Sequence, residues 1–378
     1  MILVVGAGSI GKRHLANLVT LGVQELAVAD PRKDRLQEAL DRVRSLQVAQ
    51  ATKLTPLSSH QEALDQRLPI KAVVIATPPR YHPEAIGNAL EMGCPILCEK
   101  PLACDDGEWG SLAELIGQVE KAGLFSMVAY NYRFNAQLQT LRQMIQEDVV
   151  GRVLSVRGTF SENLREWHPW EGLNFYMASQ QQGGGALLDE SHLIDLCRWL
   201  FGEIAQVSGY NTTLSSLKEE PGFDTDDLVE ILVRFESGAI GSLHMDLFGR
   251  HHQKRLEIIG EEGTLFWNFD NTDLESNGIE LWKGRRLALT PETARRVPEK
   301  RIPSDGRTRN QMYLDEMRYF LQCCKLQRHF RDDVPDLKDG LRTLSVVRAA
   351  RQSNCAGARG AASTGGSHLP QESLRPNG

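Results

Sequence analysis

The 378-residue sequence carries no excess of basic charge: 43 lysines and arginines stand against 49 aspartates and glutamates, a formal net charge of −6. That speaks against a dedicated nucleic-acid binder, which needs a basic footprint to meet phosphates. A local arginine cluster would still suffice for a small anion. No apolar run approaches the roughly 18–20 residues that span a bilayer, so no membrane partner is expected. The opening Met-Ile-Leu-Val-Val-Gly lacks the charged start of a secretory signal. Seven cysteines (Cys94, Cys98, Cys104, Cys197, Cys323, Cys324 and Cys355) are odd in number and irregular in spacing, with no paired CxxC motifs. Neither a disulfide framework nor a metal site is expected; reduced thiols in a cytoplasmic protein are. No internal repeat is visible. What is present, 41% hydrophobic and 24% charged residues, is the balance of a globular chain long enough for two domains.

The first 130 residues alternate short apolar runs with amphipathic stretches. Strands are expected at 1–5, 25–30, 71–77, 95–98 and 125–130, and helices at 12–21, 32–46, 81–92 and 108–122. Strands alternating with helices imply right-handed βαβ units and a parallel sheet. After about residue 150 the pattern changes. Period-two segments at 152–160, 229–235, 239–248, 254–259, 264–269 and 278–282 follow one another through short turns, Ser237-Gly238 reading as a hairpin turn. That is the pattern of an antiparallel sheet. Helices are expected at 311–325 and 337–352. Residues 354–378 are rich in Gly, Ala and Ser and are expected to form a disordered tail.

Gly6-Ala7-Gly8-Ser9-Ile10-Gly11 fits GxGxxG. Alone the hexapeptide says little. Here it follows an apolar strand and opens a helix, and Asp30 ends the second strand at the distance expected of a ribose-binding acid. Gly6 permits the tight turn, Gly8 lets backbone approach a pyrophosphate, and Gly11 lets the helix pack on the strand. The helix N-terminus, with Ser9 and Ile10, offers free N–H groups to phosphate. Asp30 would accept from the adenosine ribose hydroxyls and repel a 2′-phosphate, which favours NAD(H). Arg32 beside it could meet that phosphate and so keeps NADP(H) as the lesser alternative.

Cys98-Glu99-Lys100-Pro101 lies at the C-terminal end of a strand, the edge that faces the ligand crevice in a doubly wound sheet. By position alone Lys100 is equally a surface lysine or a contact to cofactor and substrate. The glycine motif, then Ala76-Thr77-Pro78 with His82, then Glu99-Lys100-Pro101, together resemble the glucose–fructose oxidoreductase / inositol dehydrogenase / rhizopine catabolism (Gfo/Idh/MocA) family. The resemblance continues through Tyr132-Arg133-Phe134, through Gly183-Gly184-Gly185 leading to Asp189, His192 and Asp195, and through Asp339-Gly340-Leu341. It covers roughly residues 1–353.

The resemblance implies an α/β chain: a Rossmann dinucleotide-binding domain over 1–125, then an α+β domain over 126–353 with a large open, mostly antiparallel sheet. One face of that sheet would be covered by helices, and the other would make a homodimer or homotetramer. It implies hydride transfer between nicotinamide and a carbinol or ketone carbon of a sugar, nucleotide sugar or cyclitol. Thr77, Pro78, His82, Glu99 and Lys100 would join the glycine loop, Asp30 and Arg32 at the cofactor. His192 would serve as acid/base, Lys100 would polarise the substrate hydroxyl, and Asp189 would orient the substrate or the imidazole.

Many members place Asp and His four positions apart. Here Asp189-Glu190-Ser191-His192 sets them three apart, which leaves the partner of Asp189 open and makes Glu190 its fallback. If helical, Asp189, His192 and Asp195 would lie near one face, Asp195 being a structural carboxylate. Arg133, Trp170 and Tyr176 are the further expected substrate contacts, and Arg157 and Arg165 are weaker candidates for an anion. Within the same family, a redox-neutral NAD-dependent glycosidase and a non-catalytic NAD-sensing regulator are the alternative activities.

Overall fold

A computed structural model describes residues 1–46, 52–104, 109–167, 175–270, 275–283, 298–306 and 308–356. Trp170 and residues 357–378 of the expected tail lie outside the described residues. The first sheet is built by β1 (Ile2–Val5), β2 (Glu25–Ala29), β3 (Lys53–Leu57), β4 (Ala72–Ile75), β5 (Ile96–Cys98) and β6 (Ser126–Val128). All pairings are parallel, in the order β3-β2-β1-β4-β5-β6. Its crossovers are α1 (Ser9–Thr20), α2 (Lys33–Arg44), α3 (His60–Asp65), α4 (His82–Glu91) and α5 (Trp109–Lys121). β1 and β4 are buried along their whole length because helices cover both faces. The chain reverses direction across the sheet between β1 and β4, which opens the ligand crevice at their C-terminal ends.

The sheet runs to Val128, three residues beyond the expected domain boundary at 125, because β6 pairs with β5. β3 and α3 were not expected from the sequence; β3 contains Pro56 and only Leu57 of it is buried, so its apolar signal is weak.

After α6 (Ala136–Gln146) the chain enters a second, eight-stranded sheet. Its strands are β7 (Val153–Asn163), β8 (Ile204–Thr212), β9 (Leu228–Phe235), β10 (Ile240–Asp246), β11 (Phe248–Gly260), β12 (Gly263–Phe269), β13 (Gly278–Lys283) and β14 (Lys300–Pro303). The order is β14-β13-β12-β11-β7-β10-β9-β8. Every pairing is antiparallel except β7 with β10, which are separated in sequence by α7 (Leu164–Trp167), α8 (Ala186–Asp189) and α9 (Ser191–Phe201) and by β8 and β9. Ser237-Gly238 does turn β9 into β10, with Gly238 at φ +90°. The expected strands 239–248 and 254–259 are corrected to β10 and one longer β11, which a bulge bends between Phe248 and Gln253. A short helix, α7 (Leu164–Trp167), leaves the end of β7.

α9 is buried from Ser191 to Leu200, packed on β7 and against the last helix of the chain. It sits close to β7 because Gly158 has no side chain: a Cβ there would stand 2.7 Å from Leu193 Cδ1. The last helices, α10 (Asn310–Leu326) and α11 (Leu337–Ala356), return to the first domain. Met317, Phe320 and Cys323 of α10 share a core with Leu15, Leu18 and Phe125. Gly340 of α11 lies where a Cβ would meet Val128 Cγ2 at 2.8 Å. α11 ends at Ala356, past residue 353 where the ordered domain was expected to stop. Among the described residues no helix is long and apolar enough to cross a membrane, and no group of three or more His, Cys, Asp or Glu is placed to hold a metal.

Candidate active site

The C-terminal ends of β1, β2, β4 and β5 open into a cavity of about 620 Å³ that runs from Asp30 at one end to Lys254 and Arg309 at the other. The first half is a dinucleotide cradle. Gly6 takes φ +100°, where a Cβ would strike the Ala76 carbonyl at 2.6 Å. At Gly8 a Cβ would meet nothing closer than Arg35 Nη1 at 3.7 Å, so its backbone borders open space. At Gly11 a Cβ would sit 1.9 Å from the Gly6 carbonyl oxygen. α1 begins at Ser9 without a side-chain cap and without an acid in its first turn, which leaves its N-terminal N–H groups to an anion. Asp30 accepts from the backbone N–H of Ala7 at 2.8 Å and of Arg32 at 2.9 Å, tying the glycine loop to the end of β2. A loop bare of side chains, an uncapped helix start and a carboxylate beyond fit a dinucleotide with unsubstituted ribose hydroxyls.

Gly6, Gly8, Ser9, Ile10, Asp30, Arg32, Thr77, Pro78, Glu99 and Lys100 all line this cavity. Gly11 and His82, expected at the cofactor, do not line it. Gly11 acts beneath the loop, by allowing the helix to pack. His82 is fully buried; its ring nitrogens meet the carbonyls of Thr77 at 2.8 Å and Pro101 at 3.0 Å. It braces the two loops that carry Thr77 and Lys100, and burial pushes its pKa down. The Arg32 guanidinium is held by Asp34.

At the far half, Lys100 Nζ donates to the Asp189 carbonyl at 2.7 Å and to Asp189 Oδ1 at 3.0 Å. Burial works against the ammonium, but Asp189 and Glu190 outweigh it and hold Lys100 above its ordinary pKa. Tyr176 donates its hydroxyl to the same Oδ1 at 3.2 Å. The partners of Asp189 are therefore Lys100 and Tyr176. Burial, reinforced by Lys100, Lys254 and Arg309, drives His192 well below its ordinary pKa, so the imidazole is neutral at pH 7.

Two expectations need correction. Asp189, His192 and Asp195 do not share one continuous helix: the chain breaks at Glu190, ending α8 and starting α9. Arg133 does not face the cavity. Its guanidinium grips Asp195 through Nε at 2.9 Å and Nη2 at 2.7 Å, and Nη1 donates to the Asp333 carbonyl. With that group spent in the interior, Arg133 has nothing to offer a substrate, and Asp195 is structural as its position suggested. Arg157 and Arg165 pair with Glu257 and Glu220 at exposed positions.

The sequence did not single out Glu162, Lys254, Arg309 and Tyr313, which line the same cavity together with Tyr132. Lys254 Nζ lies 2.8 Å from Glu162 Oε1 and 2.9 Å from Glu190 Oε2, with 2% side-chain exposure. Strand parity was the available signal: Lys254 shares the inward row of β11 with Leu256 and Ile258, and Glu162 that of β7 with Val156 and Phe160. Five buried polar atoms around the cavity have no hydrogen-bond partner among the described residues: Thr77 Oγ1, Asn131 Oδ1, the Tyr132 hydroxyl, Asp189 Oδ2 and His192 Nδ1. Unpaired buried groups of this kind are costly unless something occupies the space.

Residues 1–130 match the family described as "Oxidoreductase family, NAD-binding Rossmann fold", and residues 138–266 match its "GFO/IDH/MocA C-terminal domain". Levoglucosan dehydrogenase of Pseudarthrobacter phenanthrenivorans is 33% identical over 227 residues, 54% of this chain and 57% of that one. The scyllo-inositol 2-dehydrogenase (NAD(+)) of Bacillus subtilis is 29% identical over 268 residues, 70% of this chain and 72% of that one. A solved levoglucosan dehydrogenase in complex with NADH and levoglucosan superposes with a TM-score of 0.74 at 26% identity, covering 94% of this chain and 97% of that one.

Proposed function

The chain belongs to the Gfo/Idh/MocA family of NAD-binding oxidoreductases, and from that membership and the geometry of the cleft we propose that it interconverts a secondary hydroxyl and a ketone on a sugar, nucleotide sugar or cyclitol. The observation that carries the reading is the juxtaposition of a charged Lys100 and a neutral His192 at the inner end of the dinucleotide cradle. When bound, the dinucleotide supplies the hydride acceptor or donor. Lys100 spends two of its three N–H donors on Asp189 and keeps one for the substrate oxygen. That donor stabilises negative charge as the hydroxyl ionises. His192, neutral, accepts the hydroxyl proton; in the reverse direction its conjugate acid returns it. Asp189, fixed by Lys100 and Tyr176, presents its unpaired Oδ2 to a neighbouring substrate hydroxyl. The dehydrogenases of levoglucosan and inositol among its relatives support a polyol substrate.

The test is to incubate the protein with NAD+ and a panel of anhydrosugars, cyclitols, aldoses and nucleotide sugars while following NADH absorbance and, in parallel, sugar release from glycosides. NADH formation with at least one polyol is expected. Sugar release without net NADH would replace the reading by the redox-neutral glycosidase; NAD binding with neither product would replace it by a non-catalytic sensor.

The outward face of the second sheet is our proposed homodimer or homotetramer surface. There the exposed Leu232, Ile240 and Tyr210 stand among charged residues such as Glu230 and Arg234. Light scattering should return two or four chain masses at micromolar concentration; a single chain mass would reject the surface. The six described cysteines are free thiols, which suits our placement of the protein in the reducing cytoplasm.

A further inference from the structure

We propose that the turn Asn131–Phe134, with Tyr130 before it, is a clamp that aims the His192 imidazole: Tyr130 and Tyr132 hold the ring by edge-to-face contact, and Arg133 pins its helix through Asp195. The inference rests on the dehydrogenase reading for the task of His192. It adds to that reading four positioning residues, Tyr130, Tyr132, Arg133 and Asp195.

The argument starts from what His192 lacks. A general base is ordinarily held in place by a hydrogen bond from its second ring nitrogen to a carboxylate or a carbonyl. Among the described residues nothing hydrogen-bonds His192 Nδ1, which is buried. The two neighbouring carboxylates are engaged elsewhere: Asp189 Oδ1 with Lys100 and Tyr176, and Glu190 with Lys254. A base must stand within hydrogen-bond reach of the proton it takes, so an imidazole free to turn about its side-chain bonds would spend much of its time misplaced.

Two aromatic rings supply the missing constraint. Tyr132 meets the imidazole with ring centroids 4.9 Å apart and planes at 71°, and Tyr130 meets it at 5.6 Å and 79°. Both contacts have the edge-to-face form in which aromatic pairs attract. The tyrosines are themselves held. Tyr130 is 1% and Tyr132 2% exposed. The Tyr130 hydroxyl donates to Oγ of Ser191, the residue before His192, at 3.5 Å. Tyr132 packs on Phe160 of β7 at 5.6 Å and on Phe269 of β12 at 6.3 Å. The surface that meets the imidazole is therefore anchored in the core of the second sheet.

The same turn pins the helix. Arg133 forks onto Asp195 through Nε and Nη2, and its guanidinium carbon lies 5.9 Å from the centre of the Trp199 ring. His192, Asp195 and Trp199 stand at i, i+3 and i+7 on α9, so they share one face. Adjacent residues of the turn thus meet successive turns of the helix, Tyr132 at His192 and Arg133 at Asp195 and Trp199. A two-point fork fixes angle as well as distance, so α9 can neither roll nor slide against the tyrosines. That gives the Tyr132-Arg133-Phe134 motif a task in the cleft although the arginine does not line it.

The test is a double-mutant cycle in turnover, together with proton–carbon NMR spectra of the substrate-free protein labelled at histidine. Tyr132→Leu should lower kcat for the best polyol by roughly ten- to a hundredfold, with KM within about threefold. Tyr132→Phe, which keeps the ring, should restore most of that loss. In a His192→Ala background Tyr132→Leu should cost less than about twofold, because a residue that acts through the imidazole then has nothing left to aim. The His192 ring signal, assigned by its loss in His192→Ala, should move and broaden in Tyr132→Leu and stay near its wild-type position in Tyr132→Phe. If a melting curve shows Tyr132→Leu unfolded at the assay temperature, Arg133→Lys takes its place in the cycle and in the spectra, since lysine keeps the charge and loses the fork. An equal loss of turnover in the wild-type and His192→Ala backgrounds, or an unchanged His192 signal, would overturn the clamp while leaving the dehydrogenase reading intact. If no polyol yields NADH, the dehydrogenase reading falls and the spectra alone decide the clamp: an unchanged signal overturns it, and a shifted, broadened one retains it.

Discussion

Lys100→Ala is expected to lower turnover by at least about a hundredfold while NADH still binds, because in the proposed mechanism the lost group is a charged donor to the oxygen on which negative charge develops. His192→Ala should cost a similar factor, about 10²–10⁴, through the missing proton acceptor. In the proposed site the adenosine end of the cofactor would be held elsewhere, by the Gly6–Gly11 loop and Asp30, so its affinity should survive both changes. Lys100→Ala also strands the buried Asp189 without its cation, which should lower stability by about 3–5 kcal/mol. NADH fluorescence and a denaturation curve therefore accompany the kinetics and separate lost chemistry from lost fold. Near-normal turnover in both variants would remove these residues from the mechanism.

Gly11→Val should abolish cofactor binding by a different route. A Cβ at residue 11 would stand 1.9 Å from the Gly6 carbonyl oxygen and 2.9 Å from its carbon, both of them backbone. No side chain can yield there, so either the turn after β1 or the start of α1 must move. Overpacking of this kind costs typically about 1–3 kcal/mol, sometimes more, and it displaces the N–H groups that would hold the phosphates. Gly8→Ala is the contrasting case. Its methyl meets only Arg35 Nη1 at 3.7 Å, so the melting temperature should stay close to that of the wild type. The methyl projects into the pyrophosphate's space, and NADH affinity should fall by roughly tenfold, about 1.4 kcal/mol. Equal NADH affinity in Gly11→Val and wild type would show that the loop is not the phosphate site.

The two halves of the cavity were unequally legible in the sequence. The cradle is local: strand, glycine loop, helix and the acid after the next strand lie within thirty residues, and Gly11 answers to the Gly6 carbonyl inside that unit. Lys100 was visible as a lysine at a strand's C-terminal end, although only the resemblance gave it a task. Arg133 misled. A conspicuous arginine in a motif shared with an enzyme family invites a substrate, but its guanidinium closes on Asp195, 62 positions away, and on the Asp333 carbonyl. The spacing of Asp189, His192 and Asp195 misled too, since the arithmetic of one helix fails where Glu190 interrupts it. Lys254 alternates in step with Leu256 and Ile258, a parity the sequence shows, but only the pairing of β11 with β7 sets it next to Phe160.

By itself the sequence determined that a dinucleotide is bound, because a glycine run between a strand and a helix, with an acid after the next strand, marks an NAD-binding unit. It also determined the alternation that folds a parallel sheet first and a mostly antiparallel sheet second. Only the tertiary structure decided which charges meet. Lys100, Glu162, Asp189, Glu190, His192, Lys254 and Arg309 come from five separate stretches of the chain, and burial together with Lys100, Lys254 and Arg309, distant in sequence, sets the neutral state of His192. Coulomb energy and desolvation act through space, so the chemistry of this cleft follows from how α9 is packed on the second sheet beside the loop that carries Lys100.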